Sequence, residues 1–169
     1  MAYAWIWGES VPDGVRRIIR EQADDALAQL QVTGDERDTA IHNARKAFKR
    51  IRAVLRMVRK DIGENVFKQQ NALYRDISRE LSPVRDAFVV MQTLDSVISQ
   101  SQGDDLDKVA EQLHMRLASN YEQIRHDFWQ TDTVATVSQE LSDAITQIAN
   151  LPVKHDGFKA FSKSIKQVY

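Results

Sequence analysis

The 169-residue sequence contains no cysteine and only 3 prolines and 6 glycines. Without cysteine there is no disulfide framework, thiol nucleophile or zinc–thiolate site, a pattern that suits a reducing cytoplasm. Scarce glycine and proline argue against the many tight turns of an all-β fold. Long hydrophobic runs are missing too, since no window approaches the roughly 18 apolar residues of a membrane span. The apolar opening MAYAWIWGES is short, lacks a basic flank and runs into charged sequence, so it does not read as a signal peptide. These absences lead to the expectation of a cytoplasmic protein with no membrane partner.

Net charge is −1, yet the average hides a separation. Residues 41–85 hold 12 Lys/Arg against 4 Asp/Glu, while the rest of the chain holds 11 against 20. Such asymmetry points to a local polyanion-binding surface rather than to a uniformly neutral protein.

Apolar residues recur at steps of three and four along most of the chain, the mark of amphipathic helices. Helices are predicted at about 11–31, 35–62, 64–81, 82–100, 105–129, 134–150 and 158–168, with breaks at 32–35, 101–104 and 151–157. Gly63 supplies a stop after the second, and Ser82-Pro83 reads as N-cap and first helical residue. Asp104, Asp105 and Asp107 read as caps of the helix that follows them. No segment reads as a strand. The expected fold is all-α, an antiparallel up-down bundle of about five to six main helices. It forms one domain over residues 1–169, with 1–10 as a tail and 151–169 as a break and short helix.

The second helix carries the clearest pattern. His42, Arg45, Lys49, Arg52, Arg56 and Arg59 form a stripe about a third of a turn from its apolar edge, and Lys46, Arg50 and Lys60 widen it. No acidic residue lies between His42 and Lys60. Like charges at helical spacing repel, and a polyanion would relieve that repulsion. Arginine forks suit phosphate oxygens, and His42 protonates more readily beside bound phosphate. The same spacing also fits a solvated face paired with acidic neighbours.

Catalytic signatures are absent. No HExxH, calcium-loop, Gly-x-Ser-x-Gly or Walker pattern occurs, so no enzyme activity, metal or cofactor is expected. His114 and His126 are too far apart on one helix to share a metal. Nucleic acid is the rival ligand, since any phosphate backbone is attracted to a basic helix. It is not favoured, because the stripe lacks an aromatic platform. A scaffold that docks an acidic protein is a third reading.

The string IHNARKAFKRIRAVLRMVRK, residues 41–60, resembles the first signature of the CHAD family, the conserved-histidine α-helical domains. NALYRDISRELSPVRDAFVVMQTLD, residues 71–95, resembles the family's next helix pair, and residues 9–30 its first helix. The resemblance implies a helical domain that binds inorganic polyphosphate in a basic groove, in association with polyphosphate granules. Carried onto this sequence, it implies binding by His42, Arg45, Lys46, Lys49, Arg50, Arg52, Arg56 and Arg59. Tyr74, Arg75, Arg79 and Arg85 join them from the following helices. For Tyr74, aromatic packing is the alternative role. Lys159, Lys163 and Lys166, at helical spacing, are further phosphate contacts. CHAD domains repeat the histidine-basic helix in a second half, and no second signature occurs here. The expectation is therefore an N-terminal half of a double bundle, partnered by the missing half or by a second copy in a homodimer.

Overall fold

The computed structural model describes residues 3–100 and 104–166, with side chains from 109 in the second stretch. The turn expected at 101–103, the side chains of Asp104, Asp105 and Asp107, and the predicted helix end at Val168 lie outside the described residues. The described residues form eight α-helices and one 3-10 turn, and no strand.

Helix α1 spans Val11–Leu30. It starts where the Ser10 hydroxyl accepts the Asp13 N–H at 3.2 Å, with Pro12 in the first turn, where its missing N–H is no loss. A 3-10 turn, Gly34–Glu36, leads into α2, Arg37–Met57. The helix predicted at 35–62 breaks at Val58, and its last turn is the separate α3, Arg59–Ile62. Gly63 then takes φ 89° and ψ 151°, a conformation open essentially to glycine alone. A Cβ there would meet nothing within 4 Å, so backbone conformation and not space makes glycine necessary.

Next come α4, Glu64–Glu80, and α5, Ser82–Gln100, separated only at Leu81. Ser82 does not act as the predicted N-cap. It lies inside the helix, and its hydroxyl donates back to the Ser78 carbonyl at 3.3 Å. Helices α6, Asp104–Gln130, α7, Thr133–Ile148, and α8, Lys159–Ile165, complete the order. The seven helical stretches predicted become eight segments because of the break at Val58, and the break expected before Ser82-Pro83 falls at Leu81.

Helix α1 packs on α2 and α7, and α4 packs on α2 and reaches α7. Their apolar edges meet around Ile19, Phe48, Ile51, Leu55, Tyr74, Ile77 and Leu141, all essentially inaccessible. Each such side chain contributes about 1.5–3 kcal/mol on burial. Helices α5 and α6 pack mainly on each other. Among the described residues they bury only Val84 and Phe128, both near the root of the pair. Helix α8 packs on α3 and α2.

Residues 3–10, read as a tail, are held by α1. Arg17 donates to Glu9 at 2.7 and 2.8 Å and to the Ala4 carbonyl at 3.0 Å. Gly14 allows this approach, because a Cβ on it would lie 2.8 Å from the Trp5 ring. The 151–157 segment is held as firmly. Val11 N–H donates to Asp156 at 2.7 Å, and Arg16 donates to the Leu151 carbonyl at 3.0 and 3.2 Å.

Candidate polyanion-binding face

Helix periodicity decides which cations share a surface. At about 100° per residue, His42, Arg45, Lys49, Arg52 and Arg56 fall within an arc of roughly 80°, directly beside the buried arc of Ile41, Ala44, Phe48 and Ile51. The stripe runs along the side of α2 that meets α4 and the start of α5. The two flanking helices bring Arg75 and Arg79, and then Arg85, to the same side.

At the N-terminal end of the stripe, a pocket of about 300 Å³ opens between α2 and α5. His42, Arg45, Lys46 and Lys49 line it from α2, and Arg85, Asp86 and Val89 from α5. Asp86 is its one acid, 3.6 Å from Arg45 Nη1 and largely exposed. That Nη1 is buried and has no hydrogen-bond partner. Burial first, then the charges of Arg85, Lys46, Lys49 and Arg45, hold the His42 imidazole below its ordinary pKa of 6.5.

Further along, Arg52 donates to Asn71 of α4 at 3.0 Å. Burial and the charges of Arg56, Arg75 and Arg79 lower its pKa, with Asp76 opposing them. Asp76 accepts two hydrogen bonds from Arg75, at 2.8 and 2.9 Å, and lies 3.6 Å from Arg79. The hydrogen bonds from Arg75, with the charges of Arg75, Arg79 and Arg52, hold its carboxyl below the usual range. This face gathers cations with few counter-charges.

A family model described as the CHAD domain matches residues 17–168. The chain belongs to the CHAD domain family. The match takes in α6, α7 and α8 as well as residues 41–60, 71–95 and most of the first stretch that suggested the likeness. It spans essentially the whole chain and is not confined to an N-terminal half. No curated protein and no solved structure matches the chain.

Within this CHAD domain, the structure brings together His42, Arg45, Lys46, Lys49 and Arg85 in one pocket, and Arg52, Arg56, Arg75 and Arg79 beside it. Six other expected contacts are placed elsewhere or engaged. Arg50 points to the opposite edge of α2, where it donates to Gln22 at 3.0 Å and lies over the Tyr3 ring. Arg59 belongs to α3 and forms two hydrogen bonds with Glu64, at 2.5 and 2.9 Å, over the Phe67 ring. Glu64 also stands 4.0 Å from Lys60. Tyr74 is fully buried against Phe48, and its hydroxyl has no partner and no exposure. Its role is therefore packing, because a surface ligand cannot reach it. Lys159 and Lys163 on α8 and Lys166 just after it are exposed, and none lines the His42 pocket.

Three residues of the face were not picked out from the sequence. Asn71 sits four and eight residues before Arg75 and Arg79, so the spacing carried the signal. Asp76 and Asp86 each directly follow an arginine of the face. Among the described residues no group of three or more His, Asp or Glu side chains is placed to hold a metal. No described helix is long and apolar enough to cross a membrane.

Proposed function

We propose that this CHAD domain binds inorganic polyphosphate, without catalysis, along the face formed by α2, α4 and the first turn of α5. The observation that carries the reading is the pocket of five basic side chains, His42 included, countered by Asp86 alone. Phosphate oxygens supply what this arrangement lacks: dense negative charge and acceptors for guanidinium forks. From His42 to Arg56 the stripe rises about 21 Å along α2, enough for a linear chain to touch successive cations. A domain that holds polyphosphate would also travel with polyphosphate granules.

Nucleic acid fits less well. Stacking needs exposed aromatic planes beside the charges. Here Tyr74 is buried, and Phe88 lies beneath the Arg85 guanidinium, 5.5 Å from its centroid.

The test is calorimetric titration with long-chain polyphosphate, orthophosphate and duplex DNA at two salt concentrations. It is repeated with Arg45, Lys49 and Arg52 replaced by glutamate, after helicity has been checked. Selective polyphosphate binding that the triple variant abolishes is the expected result. Equal affinity for DNA would reduce the face to a general polyanion surface. No binding at low salt would favour an acidic protein partner.

A further inference from the structure

We infer that polyphosphate binding in the α2–α5 pocket is coupled to uptake of a proton by His42. The inference rests on the proposed function above and concerns how that site responds to pH.

Arg45, Lys46 and Lys49 line the pocket with His42 from its own helix, and Arg85 and Asp86 face it from α5. Asp38, one turn earlier on α2, is buried and is engaged by Tyr121 and Arg125 of α6. Helix α1, packed on another side of α2, meets this end through Gln29, which accepts from Asn43 at 3.1 Å and brings no charge to the pocket. Asp86 stands against Arg45 at 3.6 Å. The imidazole of the free protein therefore lies in a positive potential. Burial and that potential both disfavour the imidazolium, in agreement with its lowered pKa. Near pH 7 the ring is neutral and supplies one N–H donor.

A phosphate chain in the pocket reverses the potential at the ring. Charges that repelled a proton are neutralised, and new anionic oxygens attract one. The imidazole of the complex then has a higher pKa than that of the free protein. The complex binds more protons, so affinity rises as pH falls from the bound-state pKa to the free-state pKa, and is flat outside that window. Each unit by which the complex raises the imidazole gives up to about a tenfold gain in affinity across the window. Terminal phosphates also titrate near pH 6, but in long chains they are a small share of the charge.

Calorimetry at pH 7 in two phosphate-free buffers of different ionisation enthalpy reads the proton directly. Wild-type protein with long-chain polyphosphate is expected to take up a fraction of one proton per site, and His42→Gln is expected to take up none. NMR titration of the His42 ring, free and bound, gives the same quantity without a substitution. The expected value is below 6.5 in the free protein and higher in the complex. Binding with no buffer-dependent heat, or a bound pKa no higher than the free one, overturns the coupling and leaves the polyphosphate reading standing. No polyphosphate binding by the wild type at any pH overturns both.

Discussion

The Asp61 carboxylate accepts the Lys154 N–H at 2.7 Å, joining residues 93 apart in the chain. The same oxygen accepts the His155 N–H at 3.0 Å, and the other oxygen meets the His155 ring. Asp61 is buried at the end of α3, so this one side chain fixes the 151–157 segment to the helix pair α2–α3. Burial alone would raise its pKa, but the hydrogen bonds from the His155 ring and from the His155 and Lys154 N–H groups outweigh burial and lower it. A carboxyl lowered in the folded state stabilises at pH above its ordinary value of 3.8. That stability is lost as pH falls through the folded value. Asp61→Asn is expected to cost about 2–4 kcal/mol at pH 7, by urea denaturation, and to flatten the acid limb of the stability profile.

Arg50 and Arg52 are two residues apart and have different duties. Arg50→Ala removes the bond to Gln22 and the seat of Tyr3, and is expected to lower stability by about 1 kcal/mol with polyphosphate affinity unchanged. Arg52→Ala is expected to weaken polyphosphate binding by roughly tenfold. Paired melting curves and titrations separate the two. Equal binding losses would place Arg50 back on the ligand face.

A stripe rather than a single pocket makes affinity depend on ligand length. Size-fractionated polyphosphates are expected to bind more tightly with length until they span the rise of about 21 Å from His42 to Arg56, and to level off per site beyond it. Titration of the series measures the plateau. Affinity independent of length from the triphosphate upward would confine binding to the α2–α5 pocket.

Gly63 ends α3 with φ 89° and ψ 151°. Gly63→Ala is expected to cost about 1–3 kcal/mol through backbone strain, measured by thermal unfolding. An unchanged midpoint would mean that the turn relaxes without penalty.

Most helices were legible because each has one buried face, and steps of three and four report that face directly. The phase of α2 in particular separates Ile41, Phe48 and Ile51 from the cationic stripe, as the structure does. The sequence could not show which cations find partners within the fold. Arg50 and Arg59 share the composition of their neighbours, but Gln22 and Glu64 reach them only after folding. The hold on residues 3–10 depends on Gly14, whose role is space for an indole from outside its own helix, and no periodicity encodes that. The Asp61–His155 contact was hidden for the same reason, since its partners lie in a segment that has no repeat to read. Family likeness carried Tyr74 toward the site, whereas its fully buried ring belongs to the core.

The α5–α6 pair has a mechanical consequence for the proposed site. Arg85, Asp86 and Val89 form one wall of the pocket and also lie near the fulcrum of α5. Beyond them the helix continues to Gln100 with no further buried side chain, and Val90 and Val97 face solvent. A 19-residue helix is about 28 Å long. Tilting it by about 5° at the root swings its far end by about 2–3 Å. A pair of spectroscopic labels on α2 and on the far part of α5 is therefore expected to register a shift of that size when polyphosphate draws Arg85 toward α2, and an unchanged separation would mean that α6 holds the arm in place.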